Sequence, residues 1–171
     1  MIDLLIKEDE KDLKNMGFII NEKTNTYTAN IITVNGILTA SQHQCIGKAA
    51  ELFGNGIIKL STSFTIEVRG IPYEKINDFR KYIEKENLAT GGVGPKLRPV
   101  VSCIGTDCRY GLTDTLSLSD EIHERIYNKY KNVQLPHRFK VAISGCPNDC
   151  TKINLCEIGI ISQYIPNFNE D

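Results

Sequence analysis

Hydrophobic residues recur along this chain at two spacings, and the alternation of these spacings predicts strands followed by helices. Residues 27–34 are rich in Thr, Ile and Val, which predicts a strand. A helix is expected next, with Ser41 as its N-cap and Gly-Asn-Gly at residues 54–56 as its stop signal. Its inward positions recur at helical spacing and are expected to be Cys45, Ala49, Leu52 and Phe53.

The alternation continues through the first half of the chain. Residues 57–60 and 65–68 predict strands, and residues 74–86 predict a second helix. The inward positions of this helix are expected to be Ile76, Phe79 and Ile83. The glycine-rich residues 91–94 predict a flexible loop, and the charged residues 2–14 predict a mildly helical N-terminal arm. This order favours a compact α+β lobe whose helices pack on one face of a sheet.

A second set of signals follows the glycine loop. Residues 97–102 lead into the first cysteine-containing segment, and Ser117-Leu118-Ser119-Asp120 resembles a capping box that opens a helix ending near Lys131. The buried stripe of this helix is expected to consist of Ile122, Ile126 and Tyr130.

Two cations are expected to share one face of the next strand. Residues 139–143 alternate between apolar and other side chains, which directs Arg138 and Lys140 away from the apolar face. Because the strand runs into a pair of cysteines, we expect both cations to lie near that pair, where they could contact an anion. A solvated strand face is the alternative interpretation.

Composition and charge narrow the class of protein. The 171 residues are 41% hydrophobic, so the chain is long enough to bury a core without disulfides. Twenty Lys and Arg residues balance 21 Asp and Glu residues, which disfavours a nucleic-acid partner. The chain shows no signal peptide and no apolar run of about 18 residues, so we expect a cytoplasmic protein without membrane contact.

Candidate chemistry is concentrated in four of the six cysteines, which form two tight pairs. Cys103 and Cys108 form the first pair, and Cys146 and Cys150 form the second, with glycine and proline around both. Soft thiolates select iron–sulfur clusters, zinc or copper(I), and a four-iron cluster needs one cysteine for each iron. The pattern favours an iron–sulfur cluster, while structural zinc, two disulfides and buried thiols that only pack remain open.

The other cysteines and the histidines are expected to be structural. Cys45 is interpreted as a core residue, and Cys156 is expected to pack beside the last strand. The histidines lack mutual spacing and are expected at the surface: His43, His123 and His137.

Several segments occur together in one known family. They are residues 38–40, 57–62, 68–72, 90–94, 98–103, 135–140, 144–150 and 157–161. The seventh of these has the sequence Ser-Gly-Cys-Pro-Asn-Asp-Cys. On these segments the chain resembles the siroheme-dependent sulfite and nitrite reductases over most of its length.

The resemblance implies a fold and a set of cofactors. The fold is α+β, with a ferredoxin-like half-domain and N-terminal arm at residues 1–92 and a nitrite/sulfite reductase-type α/β cluster domain at residues 93–171. A [4Fe-4S] cluster is implied, coupled to siroheme, and electrons pass through the cluster to a small oxyanion, sulfite or nitrite. The implied cluster ligands are Cys103, Cys108, Cys146 and Cys150, of which Cys150 would bridge to the siroheme iron.

Four cations complete the implied site. Arg98, Arg138 and Lys140 match positions that bind the substrate oxyanion or the cofactor carboxylates in that family. Charge stabilisation and proton delivery are reasonable tasks for such residues. Arg109 follows a cluster ligand and could hydrogen-bond the cluster or a carboxylate, with surface exposure as the alternative.

Three features depart from the family pattern. The first cysteine pair has four intervening residues where five are common, and Ser63-Phe64 stands where many relatives have Arg-Gln. The familiar enzymes contain two such modules and this sequence contains one, so a homodimer or a partner subunit is expected. No further cysteine-rich segment follows Cys156, so we expect an external electron donor. An electron-transfer protein or subunit without siroheme and a zinc-stabilised interaction module are the alternatives.

Overall fold

The computed structural model describes residues 10–165, which form two sheets. The strands of the first sheet are β1 (Phe18–Asn21), β2 (Thr26–Ile32), β3 (Ile58–Leu60), β4 (Ile66–Ile71) and β5 (Ala89–Thr90). All its pairings are antiparallel, in the order β1-β2-β4-β3, and β5 pairs with the end of β2. The three strands expected in this region are confirmed. Residues 10–15 are helical, and the rest of the expected N-terminal arm lies outside the described residues.

Two helices pack on the first sheet: α1 (Ala40–Phe53) and α2 (Ile76–Glu84), which follows a 3₁₀ turn at Tyr73–Lys75. The predicted inward residues of α2 are buried in one core with β2 and β4, which confirms that face. Leu52 of α1 was expected to be buried, but it is 56% exposed. None of the helices within residues 10–165 is long and apolar enough to cross a membrane.

The N-cap of α1 is Thr39 rather than the expected Ser41. The Gln42 backbone N–H donates to the Thr39 hydroxyl at 3.1 Å, and the Thr39 backbone N–H donates to the Gln42 side chain at 3.0 Å. This reciprocal capping box satisfies two helix-terminal donors. Ser41 instead donates from its hydroxyl to Glu86 at 2.8 Å.

The second sheet is parallel and contains β6 (Val101–Ser102), β7 (Val141–Ser144) and β8 (Ile158–Ile161), with β7 in the middle. All four residues of β7 are buried. Phe139, Val141 and Ile143 pack in the core of the second half, as the alternation predicted. Ala142 on the opposite face is buried as well, because a central parallel strand is covered on both faces. Arg138 and Lys140 lie in the segment before this strand.

The long helix of the second half begins earlier than predicted. Helix α3 (Thr115–Ile122) continues through a π-helical turn at His123–Tyr127 and one further turn at Asn128–Tyr130. Asp114 is its N-cap and accepts a hydrogen bond from the Ser117 backbone N–H at 3.1 Å, so the predicted capping box at residues 117–120 is wrong.

The buried face of this helix also differs from the expected stripe. Ile126 is 44% exposed and Tyr130 is 46% exposed, whereas the buried positions are Thr115, Ser119, His123 and Tyr127. Polar contacts explain part of this choice. The Ser119 hydroxyl donates to the Asn35 side chain at 2.6 Å, which ties the helix to the loop after β2. The periodicity of apolar residues therefore predicted a face of this helix that lies next to the face that is buried.

The two sheets are joined by the glycine loop. β5 belongs to the first sheet and β6 to the second. In the loop that joins these strands, the Gly91 carbonyl accepts a hydrogen bond from the Asn30 side chain of β2 at 2.6 Å. Ile32 of β2 packs against the core of the second half. A domain boundary between residues 92 and 93 stays a prediction.

His123 is buried, which corrects its expected surface position. It is 5% exposed, its ring stacks on Tyr127 with centroids 4.6 Å apart, and its Nδ1 has no hydrogen-bond partner among the described residues. Burial lowers the pKa of His123 below its usual value of 6.5, and the nearby Glu124 offsets this only in part.

This burial predicts a pH-dependent stability. Above pH 6.5 the residue is neutral in both states, whereas below pH 6.5 the unfolded chain binds a proton that folded His123 resists. The free energy of unfolding is therefore expected to fall as the pH falls, by at most about 1 kcal/mol between pH 6.5 and 5.5, which is the limit for one proton. Urea unfolding at both pH values measures this difference. His123→Gln should reduce it, and the exposed His43→Gln should not; equal pH dependence in the two variants would contradict the assignment.

Candidate functional site

The first cysteine pair lies on a turn that leaves the end of β6. Cys103 follows this strand directly, and its backbone N–H donates to the Ile143 carbonyl of β7 at 3.1 Å. A 3₁₀ turn at Gly105–Asp107 leads to Cys108. Gly105 adopts a φ of +57°, a left-handed conformation that glycine adopts without strain.

The second cysteine pair lies on the turn that leaves the end of β7. The Ser144 hydroxyl donates to the Asp149 side chain at 2.9 Å, and the same carboxylate oxygen accepts from the Ile153 backbone N–H at 3.0 Å. These bonds close the turn that carries Cys146 and Cys150. Because β6 and β7 are parallel neighbours, with Ser102 opposite Ile143, both turns emerge at the same edge of the sheet.

All four paired cysteines line one cavity of about 820 Å³, here called the cysteine cavity. Its other walls include Phe64, Ile104 and Tyr110. Among the residues that the structure describes, no three Cys, His, Asp or Glu side chains are grouped closely enough to hold a metal ion. Four free thiols spread around a cavity suit a cluster of several irons better than a single zinc ion.

Hydrogen bonds prepare Cys103 to act as a thiolate. The Gly145 backbone N–H donates to its Sγ at 3.2 Å, and the Thr115 hydroxyl lies 3.7 Å from it. Partial burial is the largest single influence and would raise the pKa. The bonds from Gly105, Gly145 and Thr115 together outweigh it, so the pKa of Cys103 is lower than that of an ordinary thiol. The donor set therefore fits an iron–sulfur cluster.

Gly111 is expected to be indispensable for the cysteine cavity. A Cβ at this position would overlap the Gly105 carbonyl and lie 3.2 Å from the Cys108 carbonyl, and both are backbone atoms. Gly111→Ala should therefore displace the first cysteine turn and lower the free energy of unfolding by about 2 kcal/mol or more.

The matched control is Gly47→Ala in α1, where an added Cβ meets nothing within 4 Å. This change should stabilise the protein by about 0.5–1 kcal/mol, because alanine favours a helix interior. Urea unfolding of both variants measures the contrast. An unchanged free energy of unfolding in Gly111→Ala would contradict this prediction, because it would show that the turn accommodates the added Cβ.

A second cavity, of about 990 Å³, gathers positive charge and is here called the cationic cavity. It is lined by the three predicted cations Arg98, Arg138 and Lys140. Lys14, Lys59 and His137 also line it, together with two acids, Glu67 and Glu157. The structure thus brings together the three cations predicted from two distant segments.

Arg98 and Lys140 differ in their surroundings. Burial lowers the pKa of Arg98, and repulsion by the neighbouring Arg138 lowers it further, while the buried Tyr127 acts in the opposite direction. The Lys140 backbone N–H donates to Glu157 at 2.6 Å, which fixes the segment that carries its side chain. Like charges held together in this way favour binding of an anion between them.

A small cavity of about 150 Å³ lies between the two larger ones. It shares Arg98, Lys140 and Ser63 with the cationic cavity, and it shares Thr151 with the cysteine cavity. Thr151 directly follows Cys150, so the second cysteine turn reaches the small cavity. The walls of the small cavity therefore connect the cationic cavity to the cysteine cavity.

Ser63 and Phe64 lie in the loop between β3 and β4. Ser63 lines the cationic cavity, whereas Phe64 lines the cysteine cavity with a φ of +55°. The Thr33 hydroxyl donates to the Phe64 carbonyl, which holds this loop in place. A short hydroxyl thus occupies the position in the cationic cavity where an arginine was expected from the resemblance.

The remaining predicted residues lie at the edges of the site. Arg109 is exposed and its guanidinium lies over the Tyr110 ring at 4.9 Å, which matches the surface alternative. Cys156 lines the small cavity, and burial raises its pKa. Cys45 is buried in α1, in a different core.

Sequence reasoning missed two residues of the site. Lys59 belongs to β3 and lines the cationic cavity, where its Nζ lies 3.3 Å from Glu67. Thr115 contacts Cys103, although the apolar pattern gave no reason to place it there. Lys59 stands between apolar residues of a predicted strand, and a fully buried threonine carries no periodic signal.

Two protein-family models match the chain. The ferredoxin-like half domain of nitrite/sulfite reductase matches residues 20–86, and the nitrite and sulphite reductase 4Fe-4S domain matches residues 93–167. Together they cover most of the sequence on both sides of the glycine loop.

Individual relatives agree with the family models. An uncharacterized protein of Methanocaldococcus jannaschii is 32% identical over 92% of this chain and 55% of its own length. One of the subunits of the anaerobic sulfite reductase of Salmonella typhimurium is 30% identical over 80% of this chain and 43% of its own length. The chain therefore spans about half the length, or less, of these relatives.

A solved structure supports the fold. The NirA protein of Mycobacterium tuberculosis superposes with a TM-score of 0.74 at 17% identity, over 91% of this chain and 32% of that one. The expected α+β fold, a ferredoxin-like half-domain followed by an α/β cluster domain, is confirmed.

Proposed function

Because this chain belongs to the nitrite and sulfite reductase family, we propose that it takes part in the reduction of a small oxyanion such as sulfite or nitrite. In this proposal a [4Fe-4S] cluster occupies the cysteine cavity, with Cys103, Cys108, Cys146 and Cys150 as ligands. Siroheme would be held in the cationic cavity by Arg98, Arg138 and Lys140. The two domains divide at the glycine loop, near residue 92.

The shared walls of the three cavities carry this proposal. Arg98 and Lys140 line both the cationic cavity and the small cavity, and Thr151 links the small cavity to the cysteines. The proposed ligand Cys150 is therefore one residue from a wall of the cavity that Arg98 and Lys140 line. The cationic cavity, at about 990 Å³, is at the upper end of the range for ligand sites, as a large tetrapyrrole requires.

The cofactors and the protein would divide the chemistry. When bound, the cluster supplies single electrons and the siroheme supplies an iron atom at which a small anion can bind. Arg98, Arg138 and Lys140 would hold the anion and the siroheme carboxylates by charge-assisted hydrogen bonds. The Lys140 ammonium can also donate a proton to an oxygen that leaves the anion.

We also propose that the chain works in a larger assembly, with a second copy or a partner subunit and an external electron donor. One relative is named as a subunit, and the chain spans only part of its relatives. The edge strand β3 supports an interface, since Ile58 and Leu60 are 38% and 76% exposed. Edge strands with exposed apolar residues commonly pair with a partner.

An electron-transfer subunit without siroheme is the second candidate function. The position of Ser63 favours it, because one expected cation is absent from the cationic cavity. Arg98, Arg138 and Lys140 line the same cavity and oppose this alternative, since an electron carrier without siroheme has no need of an anion site.

Anaerobic purification of the full chain, expressed together with siroheme biosynthesis, tests these functions. About four irons per chain with tetrapyrrole absorbance would support the reductase, and sulfite and nitrite turnover would be assayed next. Iron and sulfide without tetrapyrrole would favour the electron-transfer subunit. Zinc alone would overturn both.

A further inference from the structure

Thr115 lies where the two cysteine turns meet. It is the first residue of α3, it is fully buried, and its hydroxyl donates to the Cys103 carbonyl at 2.7 Å. The same oxygen lies 3.7 Å from the Cys103 sulfur. Thr115 therefore contacts both the backbone and the side chain of one proposed cluster ligand.

The methyl group of Thr115 faces the second turn. A Cβ added to Gly145, the residue before Cys146, would lie 3.1 Å from the Thr115 methyl carbon. A Cβ added to Gly105 would lie 2.7 Å from the Thr115 hydroxyl. Both glycines are thus packed so closely around this threonine that a larger residue would push the turns apart.

These contacts place one side chain against two segments that are 42 residues apart, Cys103 and Gly145. The hydroxyl fixes the first turn, and the methyl group lies beside Gly145 of the second turn. The Gly145 backbone N–H completes the arrangement by donating to the Cys103 sulfur at 3.2 Å. A shift of Thr115 would therefore move the ligands of both pairs.

We propose that Thr115 is a positioning residue for the iron–sulfur cluster: its bond to the Cys103 carbonyl keeps the Cys103 sulfur against the Gly145 backbone N–H, and that N–H stabilises the reduced cluster. This inference rests on the proposed cluster in the cysteine cavity. A cluster gains negative charge when it is reduced, so an N–H that donates to a ligand sulfur favours the reduced form. The Thr115 hydroxyl donates its proton to the Cys103 carbonyl, so it acts on the sulfur by fixing the first turn against the Gly145 N–H.

Two substitutions separate the roles of the hydroxyl and the methyl group. Thr115→Val keeps the shape and removes the hydroxyl, while Thr115→Ser keeps the hydroxyl and removes the methyl group. The matched control is Thr106→Val, because Thr106 is exposed on the same cysteine turn.

The experiment measures iron content and cluster midpoint potential in the anaerobically purified full chain, by redox titration followed by electron paramagnetic resonance. Thr115→Val should shift the potential to more negative values, by the equivalent of about threefold or more in the ratio of oxidised to reduced cluster, which is about 28 mV for one electron. Thr115→Ser and Thr106→Val should stay near the wild-type potential.

The outcomes distinguish this inference from the proposed function. A lower potential in Thr115→Val, or loss of its iron while Thr115→Ser keeps iron, supports the positioning role. A fully loaded Thr115→Val with the wild-type potential overturns that role alone, as does equal loss of iron in the Val and Ser variants. A wild-type chain that binds no iron–sulfur cluster overturns the proposed function and this inference with it.

Discussion

Cys150→Ser is expected to abolish oxyanion reduction by the loaded protein. A neutral serine hydroxyl is a poor ligand for iron in a site built for soft thiolates, so the proposed bridge from cluster to siroheme would be lost. Cys150 is also the cysteine adjacent to Thr151, which reaches the small cavity between the cations and the cluster. Iron and sulfide analysis, the optical spectrum and turnover of sulfite and nitrite measure the effect.

Cys45→Ser is the matched control for this ligand. Cys45 is a buried thiol in α1, remote from the cysteine cavity, and its sulfur lies 3.9 Å from the Tyr82 carbonyl. Its replacement should leave cluster content, spectrum and turnover intact. Equal loss in both variants would defeat the ligand assignment, because it would mean that any lost thiol damages the protein.

The second large effect is expected from Lys140→Gln. Lys140 lines both the cationic cavity and the small cavity, where developing negative charge on the anion would need a cation. Removing one such charge typically lowers turnover by about 10²- to 10³-fold. Steady-state kinetics with sulfite and with nitrite, on protein of equal iron content, measures the loss.

Lys48→Gln provides the comparison, because Lys48 is exposed on α1 and lines none of the three cavities described above. It removes the same charge from the chain and should leave turnover unchanged. Wild-type turnover in Lys140→Gln would contradict a catalytic role for Lys140. Its remaining role would then be to hold the siroheme carboxylates.

Much of the fold could be predicted because local patterns report local structure. The inward face of α2 was correct at Ile76, Phe79 and Ile83, since a surface helix repeats its apolar residues on one side. In the later helix the same rule was wrong, because Ile126 and Tyr130 were expected to face inward and are exposed. A π-helical turn changes the phase of the helix, and polar contacts hold its other face inward.

The sequence identified the main residues of the candidate site, but it did not identify the residues that pack around them. The paired cysteines and the cations Arg98, Arg138 and Lys140 were identified from spacing and resemblance, and their roles stay predictions. Lys59 and Thr115 were missed, because each joins the site through another segment of the chain rather than through its own neighbours.

The sequence by itself determined the paired thiols, the glycines that let the backbone turn closely around them, and most of the strand and helix order, although β1 and β5 were not predicted. The tertiary structure alone decided that the two cysteine turns meet and that the cations gather beside them. The physical reason is the parallel pairing of β6 with β7, which joins residues about forty positions apart at one edge of a sheet. Spacing along a chain records which residues are neighbours within an element, whereas strand pairing and core packing decide which elements meet.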